Sequence, residues 1–134
     1  MTTRRAMPVL QVRDVATSEA FYARLGFASH GAWGDPPAFC IVQRGDVTLA
    51  LDLARDGAAA VNQWWAACIY VANAGAVEAE FAAEGVTIAM PLHENEYGLR
   101  DFDVTDPDGH RICFGSDIGP APLGPGLGPD RGRG

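Results

Sequence analysis

Three cysteines, three histidines and a few strand-borne carboxylates are the residues of this chain with the most chemistry to offer. Cys40, Cys68 and Cys113 share no Cys-x-x-Cys spacing, and an odd count does not suit a disulfide framework. They read as buried thiols of a reducing cytoplasm. A reactive thiol needs a positive neighbour, and Cys113 has a candidate in Arg111, two residues away on the same strand face. His30, His93 and His110 are expected as surface or rim imidazoles, on an edge strand, in a loop and just after a turn. His93-Glu94-Asn95-Glu96 departs from the zinc-binding His-Glu-x-x-His pattern. Ser18 and Ser116 have no His or acid at a recognisable spacing, and there is no Gly-x-Ser-x-Gly turn. Gly26, Gly85 and Gly98 are isolated, so no phosphate-cradling loop can be argued. What remains suits holding a molecule. Asp52, Asp101 and Asp103 supply carboxylates, and Phe39, Tyr70 and Tyr97 supply flat rings. A cation over such a ring gains roughly 0.5–2 kcal/mol. Trp33, Trp64 and Trp65 lie near strand ends or the inter-module link and could cover a site.

The elements that must position these groups come in two similar sets. A strand-like run at 8–13 precedes Asp14, which can cap a helix ending at Gly26. A second run at 67–71 precedes Asn73, which can cap a helix ending at Gly85. The separation from cap to glycine is the same in both, 14 to 26 and 73 to 85, and Tyr22 in one helix corresponds to Phe81 in the other. Short strands follow each helix, at 28–33, 38–43 and 47–53 and then at 87–90, 99–105 and 111–114. Turn formers separate them, among them Gly34-Asp35-Pro36-Pro37, Arg44-Gly45-Asp46, a loop around His93, and Asp106-Pro107-Asp108-Gly109. The reading is one α+β domain over 1–118, with a first βαβββ module at about 7–53, a link at 54–63 and a second module at about 64–118. Alternating Gly and Pro make 119–134 an expected flexible tail.

Composition excludes several classes of function. The 134 residues carry 17 acidic and 10 basic side chains, a net charge of -7, which argues against nucleic acid as a partner. Acidity favours a cationic ligand instead. No apolar run approaches the roughly 20 residues of a membrane span, so no membrane partner is expected.

The segment from Tyr97-Gly98-Leu99-Arg100-Asp101 through Phe102-Asp103-Val104-Thr105 to Asp106-Pro107-Asp108-Gly109-His110 closely resembles the second-half signature of vicinal-oxygen-chelate proteins. This superfamily contains glyoxalases, bleomycin-resistance proteins, fosfomycin-resistance enzymes and extradiol dioxygenases. Pro8-Val9-Leu10-Gln11-Val12-Arg13-Asp14, with Phe21-Tyr22 and Leu25-Gly26-Phe27, looks like the opening of the first half. The stretch from Phe39 through Gly45-Asp46-Val47-Thr48-Leu49 looks most like the bleomycin-resistance branch, although Cys68 stands where those proteins tend to place an aromatic residue.

The resemblance implies a curved, cup-shaped mixed sheet with helices on its outer face. Strand alternation then puts Leu10, Val12, Leu49, Leu51, Ile69, Val71, Phe102, Val104, Ile112 and Phe114 under the helices. Gln11, Thr48, Asp52, Cys68, Tyr70, Asp101, Asp103 and Cys113 would face the cup. The ligand-binding set expected is Phe39, Asp52, Cys68, Tyr70, Tyr97, Asp101, Asp103 and Cys113.

Enzymes of the superfamily hold a divalent metal at four strand positions, which motif matching puts on Met7, Ala50, Ala66 and Cys113. Such a cation wants imidazole and oxygen ligands, so neither a metal nor another cofactor is expected. The implied function is metal-independent binding of a small antibiotic-like molecule, cationic or planar aromatic, at the cleft of a cytoplasmic homodimer. The alternative is a glyoxalase-like lyase or isomerase using Cys113 or Asp52 as its acid–base group. A third reading is a domain with a filled cup that acts through partner proteins.

Overall fold

The computed structural model describes residues 1–96 and 98–118. The expected tail at 119–134 lies outside the described residues. The elements run β1 (Val9–Val12), α1 (Val15–Arg24), β2 (Ala28–Trp33), β3 (Phe39–Arg44) and β4 (Val47–Leu53), then β5 (Trp65–Tyr70), α2 (Ala74–Ala83), β6 (Ile88–Glu94), β7 (Leu99–Thr105) and β8 (Arg111–Asp117). This is an α+β fold of two βαβββ modules, with two four-stranded mixed sheets ordered β1-β4-β3-β2 and β5-β8-β7-β6. The described residues form two compact units, residues 1–67 with 105–111, and residues 68–104 with 112–118.

In the first unit, β1 pairs parallel with β4 while β2–β3 and β3–β4 are antiparallel. Helix α1 starts where expected, because the Asp14 carboxylate accepts from the Ala16 amide at 3.2 Å and the Thr17 hydroxyl at 2.9 Å. It stops as Gly26 turns to φ 83°, a region other residues rarely enter. Leu10, Val12, Val15, Tyr22, Leu25, Cys40, Leu49 and Leu51 are buried as its core.

The turn at Asp106–Gly109 belongs to this first unit although it joins two strands of the other sheet. Buried Asp106 organises it. Its Oδ1 accepts from the Asp108 and His110 amides, each at 2.9 Å, and its Oδ2 accepts from the buried Tyr22 hydroxyl at 2.8 Å. Arg13 donates through its backbone amide and Nε to Asp108 Oδ1, both at 2.9 Å, and through Nη2 to the Pro107 carbonyl at 2.7 Å. Burial first, and the Asp106 negative charge second, push the Tyr22 phenol well above its ordinary pKa, so it stays a donor.

The second unit repeats the pattern with an aromatic core. Asn73 caps α2 by accepting from the Ala76 amide at 3.0 Å. Phe81 on the helix meets Phe102 and Phe114 edge-on at 5.7 and 4.9 Å, and those two stack at 5.5 Å.

Two expectations need correction. His93 is not in a loop, because β6 continues to Glu94 and places His93 opposite Asp101. Pro91 interrupts the ladder without ending the strand, since β6 is the sheet edge and the register shifts between Met90 and His93. His110 is not a surface imidazole. It is 3% exposed, and its Nε2–H donates to the Gln11 carbonyl at 2.6 Å.

Candidate ligand site

The candidate residues fall into two groups, one on each unit. On the first sheet, Trp33 lies opposite Phe39, Phe39 opposite Asp52, and Asp52 opposite Gln11. Residues paired directly across strands share a face, so these four form one row across β2, β3, β4 and β1. The next residues along, Cys40, Leu51 and Leu10, point the other way and are buried. The row is open. Trp33, Asp52 and Gln11 are exposed and Phe39 is half-buried, with the Trp33 and Phe39 rings 5.9 Å apart and tilted by 48°. Gln11 is held by accepting from the Ala60 amide at 3.0 Å. This row offers two flat rings beside a carboxylate.

On the second unit, Asp101 and Asp103 of β7 are buried at 1% and 3% exposure. One oxygen of Asp101, Oδ2, accepts from the side-chain Nδ2 of Asn95 at 2.8 Å, and Asn95 Oδ1 is itself fixed by accepting from the Leu99 backbone amide at 3.0 Å. The other oxygen, Oδ1, makes no hydrogen bond and lies 3.3 Å from His93 Nε2. His93 Nδ1 must be the donor to the Pro91 carbonyl at 3.0 Å, because a carbonyl only accepts. Nε2 and the Asp101 carboxyl therefore attract only when one of them carries a proton. Burial raises the Asp101 pKa above the ordinary carboxylate value, and the Asp103 charge adds to it. His93, the Cys113 thiol and Asn95 pull the other way.

Cys113 is fully buried beside these acids, and Cys68, half-buried on β5, shares a hydrogen bond with it, the two sulfurs 3.0 Å apart. That hydrogen bond, burial and the Asp101 and Asp103 charges all push the Cys113 thiol far up. It is a packed thiol that rests protonated near neutral pH, with no activation by the candidate neighbour Arg111. Tyr70, two residues along β5 from Cys68, shares its face and is 45% exposed. Its phenol is also shifted upward, by burial and then by Cys68 and Asp117. Tyr97 lies outside the described residues.

Of the expected set, Phe39 and Asp52 stand together on the first unit, and Cys68, Tyr70, Asp101, Asp103 and Cys113 on the second. Sequence reasoning missed His93 and Asn95 as partners of Asp101. The available signal was Asn95 at the entry of a hairpin that closes back on Leu99.

The glyoxalase/bleomycin resistance protein/dioxygenase superfamily profile matches residues 4–114. The chain belongs to this superfamily. No curated protein matches it in sequence. Among solved structures, it is similar to a bleomycin-binding protein complexed with bleomycin, at 23% identity over 86% of this chain and 99% of that one, with TM-score 0.72. It is similar to the bleomycin-binding protein of Streptomyces verticillus complexed with copper(II)-bleomycin, at 26% identity over 92% and 98%, with TM-score 0.69. A glyoxalase-related enzyme from Clostridium phytofermentans matches at 15% identity over 88% and 98%, with TM-score 0.73.

The metal that superfamily enzymes hold does not fit the residues here. Ala50 is buried with no donor atom, Ala66 has none either, and Met7 offers only a thioether. Among the described residues, no group of three or more His, Cys, Asp or Glu is arranged to hold a metal ion. Among the same residues, no helix is long and apolar enough to cross a membrane.

Proposed function

We propose that this protein binds a small cationic or planar aromatic molecule and sequesters it without converting it. The observation that carries this reading is the row of Trp33, Phe39 and Asp52 on one open sheet face. Two rings can stack on a flat ligand while the adjacent carboxylate attracts its positive charge. The fold it shares with bleomycin-binding proteins agrees with that class of ligand. We further propose that the protein works as a cytoplasmic homodimer. Exposed Val9, Trp33, Trp64, Tyr70 and Met90 supply apolar surface for a second copy.

The test is titration calorimetry with metal-free bleomycin as a cationic probe, against a neutral and an anionic aromatic of similar size. Cationic bleomycin should bind most tightly, with its mass unchanged on recovery, and binding should weaken in Asp52→Asn and Phe39→Ala. Preference for the anionic probe, or indifference to both substitutions, would overturn the reading. Light scattering at micromolar concentration should give twice the chain mass.

A second reading, a glyoxalase-like lyase or isomerase, draws on one observation: Asp101 with its raised pKa beside His93 forms a candidate acid–base pair. A probe recovered chemically altered, with the conversion lost in Asp101→Asn, would favour it over sequestration.

A further inference from the structure

We propose that Cys68 and Cys113 form an oxidant-sensitive dithiol, which a hydroperoxide converts to an intramolecular disulfide. The two sulfurs are 3.0 Å apart, on strands β5 and β8 that neighbour each other in the sheet. Neighbouring strands lie about 4.7–4.9 Å apart, inside the roughly 4.4–6.8 Å range of Cα separations that a disulfide spans. Both cysteines are reduced here, so the pair is poised without being joined. Their exposures differ in a useful way. Cys68 is half-buried and open to an oxidant, whereas Cys113 is fully buried and sheltered from one.

The chemistry follows from that difference. The Cys68 sulfur attacks an oxygen of the hydroperoxide and breaks the O–O bond, giving a Cys68 sulfenic acid and an alcohol, or water from hydrogen peroxide. The Cys113 sulfur then attacks the sulfenic sulfur. The S–S bond forms, and the leaving hydroxide takes up the Cys113 thiol proton as water. In sum, two thiols are oxidised while one hydroperoxide is reduced to an alcohol and water. Oxidation also removes the Cys113 S–H, a donor that favours the charged form of Asp101. The third thiol, Cys40, is buried in the other unit with its sulfur beside the Ser29 hydroxyl and the Ile41 carbonyl, so it has no sulfur to join.

The experiment treats the purified full chain with tert-butyl hydroperoxide, denatures it and labels it with N-ethylmaleimide. One label should be taken up in place of three, dithiothreitol should restore three, and peptide mapping should link position 68 to position 113. Cys40→Ser should leave that link intact, and Cys68→Ser should abolish it. In Cys113→Ala, dimedone should trap a sulfenic acid at Cys68; either of these two variants suffices if the other does not fold. A link involving Cys40, a link between chains, or oxygen added at Cys113 with no 68–113 link would overturn the proposal. So would retention of all three thiols under conditions that fully oxidise free glutathione.

Discussion

Replacing Tyr22 by Phe removes one oxygen and tests how the Asp106–Gly109 turn is held. The lost hydroxyl donates at 2.8 Å to Asp106 Oδ2, and Tyr22 and Asp106 are 0% and 4% exposed. A hydrogen bond to a charged group contributes about 1.5–3 kcal/mol, and burial keeps bulk water from taking the place of the phenol. Oδ1 keeps its two backbone donors, so the turn itself should persist. The expected loss is therefore about 2 kcal/mol rather than collapse. For a chain of this size that corresponds to a fall in Tm of roughly 5–10 °C. Urea unfolding followed by circular dichroism checks it, provided the slope m matches that of the parent chain. A double-mutant cycle with Asp106→Asn isolates the coupling and should return more than about 1 kcal/mol. A loss below about 0.5 kcal/mol, or perfectly additive single substitutions, would refute the view that this bond anchors the turn.

Other outcomes follow from the same geometry. Because the folded pKa of Asp101 lies above its unfolded value, the folded state holds the extra proton; stability should fall as pH rises from the ordinary carboxylate range through the raised pKa. Asp101→Asn should flatten that slope in urea titrations across mildly acidic pH, and an unchanged slope would contradict the assignment. Phe39→Ala should weaken binding of the cationic probe by about 2–30-fold in calorimetry, the range of a cation–ring contact. Asp52→Asn should weaken it by about 2–5-fold at low salt and negligibly at high salt, since that carboxylate is exposed. Gly115→Ala would bring a Cβ within 2.7 Å of Leu99 Cδ2 and 3.2 Å of Asp101 Cβ. Overpacking of this kind should cost about 1–3 kcal/mol, read as a lower urea midpoint. Asn73→Ala should cost about 1 kcal/mol through loss of the α2 cap, by the same measurement.

Local chemistry makes most of the architecture legible in the amino-acid sequence itself. Asp14 and Asn73 cap helices because their side chains reach amides two or three residues ahead, and Gly26 and Gly85 end them because positive φ is open to glycine. Alternation along the strands put Leu10, Val12, Leu49, Leu51, Phe102 and Phe114 inside, as found. All of these are signals confined to a few consecutive residues. Tertiary structure alone decided the site's internal chemistry. Alternation said that Asp101 and Cys113 leave the helix-packed side, but it could not say that their own face would also be buried. Nor could it say that Cys68, 45 residues away in the chain, would sit 3.0 Å from Cys113, or that His93 would oppose Asp101. The same holds for Tyr22, whose hydroxyl meets Asp106 across 84 residues. Burial and proximity across long loops set the dielectric and the charges around a titratable group, and neither quantity is local to the sequence. The residue types carried the chemistry, and the packing chose which of them would be solvated, paired or held ready to react.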